Sequence, residues 1–250
     1  MTKILLVGCS GKMGRMISST VKNFENLEIA AGVDKNNDTS LGYPIFENID
    51  DCNVDIDVVL DFSRPATLNQ ICEFVKTNNK PVVFCTTGYN ESEKNKILEL
   101  SKVVPVFHSA NMSIGINIVN SILKNISNTL FNDFDIEIIE KHHNQKVDAP
   151  SGTALLLANT IKDSIQDDTH FIYGREGIAK RDEKEIGIHT IRGGNIIGEH
   201  EVIFAGAGEV ISIKHSAISR EVFAVGALKA CAFMFNKEKG LYSMDNVVNN

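Results

Sequence analysis

This chain lacks several features that would assign it to common functional classes. It has no apolar run of the about 18–20 residues that span a bilayer. Its N-terminus leads straight into an apolar, strand-like segment, without the hydrophobic region and cleavage motif of a signal peptide. Lys and Arg number 25 against 32 Asp and Glu, a formal net charge of −7, which disfavours general attraction to nucleic acid or anionic membranes. We therefore expect a cytoplasmic protein in which a local cluster of donors holds any anionic ligand.

Cysteine is scarce as well. Five cysteines are irregularly spaced and form no CxxC pair: Cys9, Cys52, Cys72, Cys85 and Cys231. Neither a zinc-binding framework nor an internal repeat is visible, so we expect reduced, mostly buried thiols and no metal. With 250 residues, 43% of them hydrophobic, the chain is long enough for one large domain or two modest ones.

The first 110 residues alternate between short apolar stretches and stretches with helical spacing. The predicted strands are 3–8, 28–33, 57–62, 81–86 and 103–107, and the clearest helices are 65–79 and 91–102. Strands that alternate with helices predict a parallel sheet made of βαβ units. The continuous apolarity of several strands indicates that both faces of this sheet are covered.

The pattern changes after about residue 110. The predicted elements are a helix at 114–130, a strand at 134–141, a helix at 152–166, strands at 186–192, 198–205 and 209–215, and a final helix at 219–235. The strand at 134–141 alternates partly, with Glu140 counted among its polar residues, and residues 206–209 predict a hairpin turn. This half therefore reads as an α+β unit whose sheet has one largely exposed face. The apolar final helix is expected to pack back against the first domain.

A glycine-rich turn directly follows the first strand. Gly8, Gly11 and Gly14 have GxxGxxG spacing in place of the usual GxGxxG. Such a turn lets the backbone approach a pyrophosphate, and the next helix offers its N–H groups and positive dipole end. An ordinary strand-to-helix turn is the alternative, but its position after the first strand favours dinucleotide binding.

Asp34 ends the second strand, where an acid can accept hydrogen bonds from the ribose hydroxyls of NAD. The neighbouring Lys35 could instead neutralise the 2′-phosphate of NADP, or the two could be a solvated loop pair. Residues 61–65 and 85–88 also follow predicted strands, at the edge where open α/β sheets bind ligands. Simple turn chemistry explains these two segments equally well.

Residues 140–154 read EKHHNQKVDAPSGTA and combine two histidines with two lysines. Histidine donates protons near neutrality, and Lys146 offers a cation or a proton. Pro-Ser-Gly-Thr then starts a helix whose free N–H groups, at Gly152 and Thr153, can bind a carboxylate. The alternatives are a surface histidine pair, a plain helix start and a zinc site. Zinc is disfavoured because adjacent histidines of an extended segment face opposite ways and no HExxH or Cys partner accompanies them.

This segment resembles the characteristic stretch of the dihydrodipicolinate reductase family, E-x-H-H-x-x-K-x-D-A-P-S-G-T-A, at every specified position. The resemblance covers the chain nearly end to end. Further matches are Gly8–Gly14, Asp61–Ser63, Thr86–Gly88, Ser109–Gly115, Arg192–Gly194, Gly198–His200 and Ser219–Leu228.

The resemblance implies specific roles for single residues. His142 stands at the family's catalytic proton donor or acceptor and Lys146 at a second proton donor, and which of them delivers the proton stays open. The implied substrate-binding residues are His143, Gly152 and Thr153. The implied cofactor-binding residues are Gly8, Cys9, Ser10, Gly11, Lys12, Met13, Asp34, Cys85, Thr86, Thr87, Ser109, Ala110, Asn111 and Met112. Because Asp34-Lys35 replaces the usual acid–Arg pair, we expect NADH and/or NADPH, with some preference for NADH. Cys85 replaces a common Gly, which leaves a backbone contact possible but changes the local packing.

The resemblance also implies an α/β fold with two domains. A Rossmann-type dinucleotide-binding domain would comprise 1–112 with 221–250, and an α+β domain for substrate binding and tetramerisation would comprise 113–220. The implied activity is NAD(P)H-dependent reduction of 4-hydroxy-tetrahydrodipicolinate to tetrahydrodipicolinate, in the diaminopimelate route of lysine biosynthesis. The implied partners are a small dicarboxylate and further copies of the chain, joined through the 186–215 sheet, with no nucleic acid or membrane. Two rivals are an NAD(H) sensor without chemistry and an aspartate-type dehydrogenase.

Overall fold

A computed structural model describes residues 1–248 of the chain. Contacts between residues divide the chain into two compact units. Unit 1 comprises Met1–Ile114 together with the C-terminal segment from Glu221, and unit 2 comprises Gly115–Arg220. Residues 249 and 250, which the predicted first domain includes, lie outside the described residues. No helix within residues 1–248 is both long enough and apolar enough to cross a membrane.

Unit 1 is built on a seven-stranded sheet. Its strands are β1 (Thr2–Val7), β2 (Leu27–Val33), β3 (Ile45–Phe46), β4 (Val58–Asp61), β5 (Val82–Phe84), β6 (Pro105–His108) and β12 (Gly240–Tyr242). They lie in the order β12-β6-β5-β4-β1-β2-β3, and every pair is parallel. The predicted parallel sheet is confirmed. The chain reverses its direction of travel across the sheet between β1 and β4, which is where open α/β sheets form a ligand crevice at their carboxyl ends.

Helices cover both faces of this sheet. They are α1 (Lys12–Thr20), α2 (Leu68–Asn78), α3 (Glu91–Ser101), α6 (Glu221–Met234) and α7 (Met244–Val248). Successive strand residues face opposite sides, so Ile4 and Leu6 pack towards α1 and α6, whereas Leu5 and Val7 pack towards α2 and α3. The final long helix is therefore buried in the first unit, as the sequence predicts.

Unit 2 contains a mixed sheet with helices on one face. Its elements are α4 (Ile114–Leu130, which starts at the last residue of unit 1), β7 (Phe134–His142), α5 (Gly152–Ser164), β8 (His170–Tyr173), β9 (Glu185–Arg192), β10 (Gly198–Gly206) and β11 (Val210–Ala217). The strand order is β11-β10-β7-β9-β8, with β10 antiparallel to both neighbours and β9 parallel to both of its own. The predicted hairpin turn is confirmed, since the Gly206 N–H bonds the Glu209 carbonyl at 2.9 Å.

Period-two alternation along β7 separates its two faces. Ile136 and Ile138 join the core with α4 and α5, whereas Glu137 and Lys141 form ion pairs on the opposite face. Glu140 is a correction to the predicted pattern, which grouped it with the outward polar residues. Glu140 is two residues after Ile138 on the same strand, so its side chain points towards the core, and it is 0% exposed. A carboxylate buried in this way requires hydrogen-bond donors around it.

Candidate active site

The glycine-rich turn after β1 forms one wall of a cavity at the carboxyl end of the unit 1 sheet. Gly8 has a φ of +82°, and a Cβ at this position would lie 2.6 Å from the Phe62 carbonyl oxygen, so the turn requires glycine. Gly11 is the N-cap of α1 and makes no side-chain capping bond, which leaves first-turn N–H groups for an anion. The cavity encloses about 610 Å³, and its lining includes Gly8, Ser10, Gly11, Asp34, Lys35 and Arg64. This cradle fits a dinucleotide pyrophosphate.

Asp34 links the glycine-rich turn to the loop after β2. Its carboxylate accepts hydrogen bonds from the Ser10 backbone N–H at 3.0 Å and the Asn36 backbone N–H at 3.1 Å. Lys35, beside it, is exposed. Backbone donors therefore fix the Asp34 carboxylate at the cavity, where it could accept hydrogen bonds from a ribose. Lys35 lies at the edge of the same cavity.

The other predicted cofactor residues differ in exposure. Cys9 is 0% exposed and belongs to the core, and Met112 is 5% exposed, so any ligand contact by these two comes from the backbone. The residues that are half-buried or exposed are Lys12, Met13, Cys85, Thr87, Ser109, Ala110 and Asn111, while Thr86 is buried. Residues 85–87 follow β5 and residues 109–112 follow β6, so both segments leave the sheet at the same carboxyl edge as the turn after β1.

Asp61 at the end of β4 organises two of these loops. It is 0% exposed, and it accepts hydrogen bonds from the Ser63 backbone and hydroxyl and, at 3.1 Å, from the Tyr89 hydroxyl. Burial raises the pKa of Asp61, and the Ser63 hydroxyl opposes that rise. The loop after β4, which supplies Arg64 to the cavity wall, is therefore tied to the loop after β5.

In unit 2, the predicted catalytic segment runs from the end of β7 to the start of α5. His142 is the last residue of β7 and is 8% exposed. Ser151 is the N-cap of α5, and its hydroxyl accepts a hydrogen bond from the Ala154 N–H at 3.1 Å. The first helical residue, Gly152, is exposed. The segment thus brings a histidine and a helix N-terminus together at the same end of the unit 2 sheet.

A buried carboxylate stands behind His142. Glu140 accepts a hydrogen bond from His142 Nδ1 at 2.6 Å and a bidentate pair from Arg192, both at 2.8 Å. The Ser151 N–H at 3.0 Å and the Thr190 hydroxyl at 3.1 Å also donate to it. Burial is the largest single cause and opposes ionisation, but the hydrogen bonds from His142, Arg192 and the Ser151 backbone together help to outweigh it, so the pKa of Glu140 lies well below its ordinary value.

A second histidine lies beside the first. The His200 ring centroid is 5.1 Å from that of His142, and His200 Nε2 shares a 3.0 Å hydrogen bond with the Ser151 hydroxyl. Burial is the main cause that lowers the pKa of His200 to about 4, and the neighbouring His142 acts in the same direction. His200 is therefore neutral near pH 7 and supports the start of α5 as a hydrogen-bond partner rather than as a cation.

Lys146 already has a carboxylate partner in this structure. Lys146 Nζ lies 2.8 Å from the Asp148 carboxylate. Partial burial opposes ionisation of Asp148, but hydrogen bonds from Lys146 and from the Gly152 backbone lower its pKa. Lys146 and the Gly152 backbone, both assigned from the sequence to an anionic substrate, thus both favour the ionised form of one carboxylate. His143 is half-buried just beyond the strand, and Thr153 is half-buried in the first turn of α5.

Sequence reasoning gave no role to three residues that complete this group, Glu140, Arg192 and His200. All three lie in quoted family motifs, and the two-residue spacing of Glu140 and His142 on a strand was the available signal that they share a face. Within residues 1–248 no group of three or more His, Cys, Asp or Glu side chains is arranged to hold a metal.

Two models of one protein family together match nearly the whole chain. The N-terminal profile of dihydrodipicolinate reductase matches residues 2–112, and its C-terminal profile matches residues 115–248. The chain belongs to the dihydrodipicolinate reductase family. The resemblance stated from the sequence is confirmed. The profiles follow the order of the sequence, whereas the contacts assign the segment from Glu221 to unit 1.

Relatives extend over the full chain. The 4-hydroxy-tetrahydrodipicolinate reductase of Clostridium novyi (strain NT) is 68% identical over 248 residues, covering 99% of this chain and 98% of the relative. The corresponding reductase of Caldanaerobacter subterraneus is 45% identical over 249 residues, covering 99% and 98%. The chain therefore aligns with these relatives over nearly their whole length.

Solved structures agree with the fold. A dipicolinate-bound dihydrodipicolinate reductase from Paenisporosarcina sp. TG-14 matches with a TM-score of 0.82 and 26% identity, covering 98% of this chain and 99% of that one. An aspartate dehydrogenase from Thermotoga maritima matches with a TM-score of 0.53 and 14% identity, covering 95% and 98%. The second likeness is one of fold alone. The Rossmann-like first unit and the mixed-sheet second unit confirm the predicted fold class.

Proposed function

We propose that this chain reduces 4-hydroxy-tetrahydrodipicolinate to tetrahydrodipicolinate with NADH or NADPH, in the diaminopimelate route of lysine biosynthesis. The observation that carries the proposal is the pairing of Lys146 with a carboxylate shortly before the start of α5, in the same segment as the buried Glu140–His142 pair. A small dicarboxylate requires such donors, and a reduction that ends with protonation requires an acid next to them.

In this proposal the substrate is held by unit 2. His143, Lys146 and the N–H groups of Gly152 and Thr153 bind the carboxylates of the ring. The exposed start of α5 contributes its positive dipole end to the same task. His142 donates the proton through Nε2, because Nδ1 is bonded to Glu140, and Lys146 is the second candidate donor.

Unit 1 holds the cofactor. The glycine-rich turn contacts the pyrophosphate, Asp34 the adenosine ribose, and the segments 85–87 and 109–112 the nicotinamide end. When bound, the nicotinamide would supply a hydride to a ring carbon of the substrate. Overall the substrate gains this hydride and one proton, and its 4-hydroxyl group is lost as water. Because Asp34 accepts from ribose hydroxyls while exposed Lys35 tolerates a phosphate, we propose that both cofactors are used, with a preference for NADH.

The predicted domains keep their roles in this proposal. Residues 1–112 with 221–250 bind the dinucleotide, and residues 113–220 bind the substrate and join four copies through the 186–215 sheet. The outer face of that sheet is partly exposed and carries Ile191, Val210 and the Lys141–Glu199–Lys214 ion-pair group. Family membership supports the tetramer and a cytoplasmic location. Light scattering checks the assembly, and a monomer mass at micromolar concentration would contradict it.

Steady-state kinetics of three variants tests the division of labour. At saturating NADH, His142→Ala should lower kcat by about 10²–10⁴-fold with little change in KM, because it removes a general acid. Thr153→Val should raise KM, because it removes a donor used in ground and transition states alike. Lys146→Ala should damage both terms.

Folding of each variant is checked by circular dichroism, and the assay follows NADH oxidation with substrate made in situ. Unchanged kcat in His142→Ala, with only KM raised, would leave Lys146 as the sole acid. Oxaloacetate with ammonia serves as the competing substrate pair. Faster NADH oxidation with that pair would favour the aspartate-type dehydrogenase, and no oxidation with either would favour the sensor.

A further inference from the structure

We propose that Glu140 is a positioning residue for the reduction, one that fixes the ring orientation of His142 while Arg192 holds the carboxylate in place. This inference rests on the proton-donor role proposed above for His142. Glu140 itself is fully buried, so it reaches the substrate only through the histidine.

The donors around Glu140 leave its carboxylate one orientation. Oε1 accepts from one Arg192 nitrogen at 2.8 Å, from the Ser151 N–H and from the Thr190 hydroxyl. Oε2 accepts from the other Arg192 nitrogen at 2.8 Å and from His142 Nδ1 at 2.6 Å. A bidentate arginine pair fixes the plane of a carboxylate as well as its distance. The position of Oε2, the acceptor for His142 Nδ1, is therefore fixed.

The fixed Glu140 carboxylate decides which ring nitrogen of His142 is available for proton transfer. Because the Nδ1 proton is directed to Glu140, Nε2 is the nitrogen that exchanges a proton with a ligand. A Cβ at position 198 would lie 3.1 Å from Nε2, so Gly198 keeps side-chain atoms away from that side of the ring. A carboxylate behind an imidazole is the arrangement that selects a tautomer and steadies the imidazolium in other enzymes.

The charged and titratable groups around the ring come from every neighbouring element. Arg192 on β9 is neutralised by Glu140, Lys146 in the loop after β7 is paired with Asp148, and His200 on β10 is neutral near pH 7. His215 lies opposite His200 on β11, and burial lowers its pKa. Glu140 is the carboxylate that forms a hydrogen bond with the His142 ring.

The chain offers a matched control on the same strand. Glu137 accepts a 2.7 Å hydrogen bond from His189 and is bonded to Arg175 and Arg181, but it faces the opposite side of the sheet. If Glu140 matters only for the sheet, its replacement should affect kcat as little as replacement of Glu137. If Glu140 acts through the proton donor His142, its replacement should lower kcat.

The experiment compares Glu140→Gln, Glu137→Gln, His142→Ala and the double variant Glu140→Gln/His142→Ala. Glu140→Gln should lower kcat by about 10²-fold while KM stays within about twofold, because the amide keeps the shape but loses the charge and the tautomer preference. Glu137→Gln should keep the wild-type kcat. In the His142→Ala background, adding Glu140→Gln should change kcat by less than about twofold, because both substitutions remove one function.

Proton NMR gives a readout that a purely structural role would not move. The short Nδ1–Glu140 bond should give a downfield imidazole proton signal in the wild type and in Glu137→Gln, and this signal should be absent from Glu140→Gln and His142→Ala. Should Glu140→Gln fail to fold, Arg192→Lys carries the test. Lysine keeps the positive charge but cannot form the bidentate hydrogen bonds to Glu140, so kcat should fall by about tenfold with KM unchanged.

The outcomes separate this inference from the proposed function. If His142→Ala keeps the wild-type kcat, both assignments fail together. If His142→Ala loses kcat while a folded Glu140→Gln or Arg192→Lys keeps it, only the positioning role is overturned. Additive losses in the double variant would also overturn it, because Glu140 would then act independently of His142.

Discussion

The three glycines of the turn after β1 are glycine for different reasons. Gly8 has a left-handed φ and approaches the Phe62 backbone, whereas a Cβ at Gly14 would lie 2.3 Å from the Gly8 carbonyl oxygen and 2.4 Å from that of Cys9. A Cβ at Gly11 would meet only the Gly8 oxygen, at 3.3 Å. Gly11, on the cavity wall, is therefore the position where an added methyl enters ligand space rather than protein.

This contrast predicts different outcomes for two equal substitutions. Gly14→Ala should destabilise the fold by about 1–3 kcal/mol, because backbone atoms must move to admit the methyl. Gly11→Ala should keep most of the stability and lower NADH affinity by about tenfold, or about 1.4 kcal/mol. Urea denaturation measures the first effect and calorimetry with NADH the second. Unchanged NADH affinity in folded Gly11→Ala would place the pyrophosphate elsewhere.

His200 predicts a pH dependence of stability. Its pKa is about 4 in the folded chain and about 6.5 when exposed. Between these values the unfolded chain binds a proton that the folded chain does not. Stability therefore falls as the pH falls from about 6.5 to about 4, by up to about 3 kcal/mol from this group.

Urea denaturation across that pH range checks the effect. His200→Gln should lose less unfolding free energy on acidification than the wild type. The matched control is His170→Gln, since His170 is exposed in the same unit and should leave the slope unchanged. Equal slopes for all three proteins would show that His200 is not the group responsible.

Among the elements, burial on both faces decided which strands could be read from the sequence. β1, β4 and β5 are nearly fully buried and appear as continuous apolar runs. β3 and β12 have only two and three residues and are half-buried or exposed, and β8 is likewise exposed or half-buried along its length. Pairing with a neighbouring strand, rather than their own apolar pattern, makes these three segments strands, so the sequence carried no signal for them.

Helix α6 gives a prediction at the same scale. A Cβ on Gly226 would lie 1.7 Å from the Met112 carbonyl oxygen, so the helix depends on glycine to lie against that loop. Gly226→Ala should lower the free energy of unfolding by about 1–3 kcal/mol or more. Lys229→Ala, on the exposed side of the same helix, should stay within about 0.5 kcal/mol of the wild type. Equal denaturation midpoints for the two variants would contradict the close-packing argument.

For the molecule as a whole, the sequence predicted the site residues that lie within one motif better than the contacts they make with residues on other strands. His142, Lys146 and Gly152 lie in one stretch, so a motif could reveal them. Glu140, in contrast, pairs with Thr190 on β9 and His200 on β10. That register depends on how separate strands align in three dimensions, which local pattern does not encode.

The return of the chain to unit 1 has a consequence for biosynthesis. The core on one face of the unit 1 sheet includes Ala224, Leu228 and Met234 of α6, which leave the ribosome only after all of unit 2 has been made. Unit 2, from Gly115 to Arg220, is one continuous segment and needs no residue from either end of the chain for its own core. The half translated first is therefore the half completed last. Until α6 emerges, α1 covers only part of this face, and the remaining apolar surface is of the kind that chaperones bind.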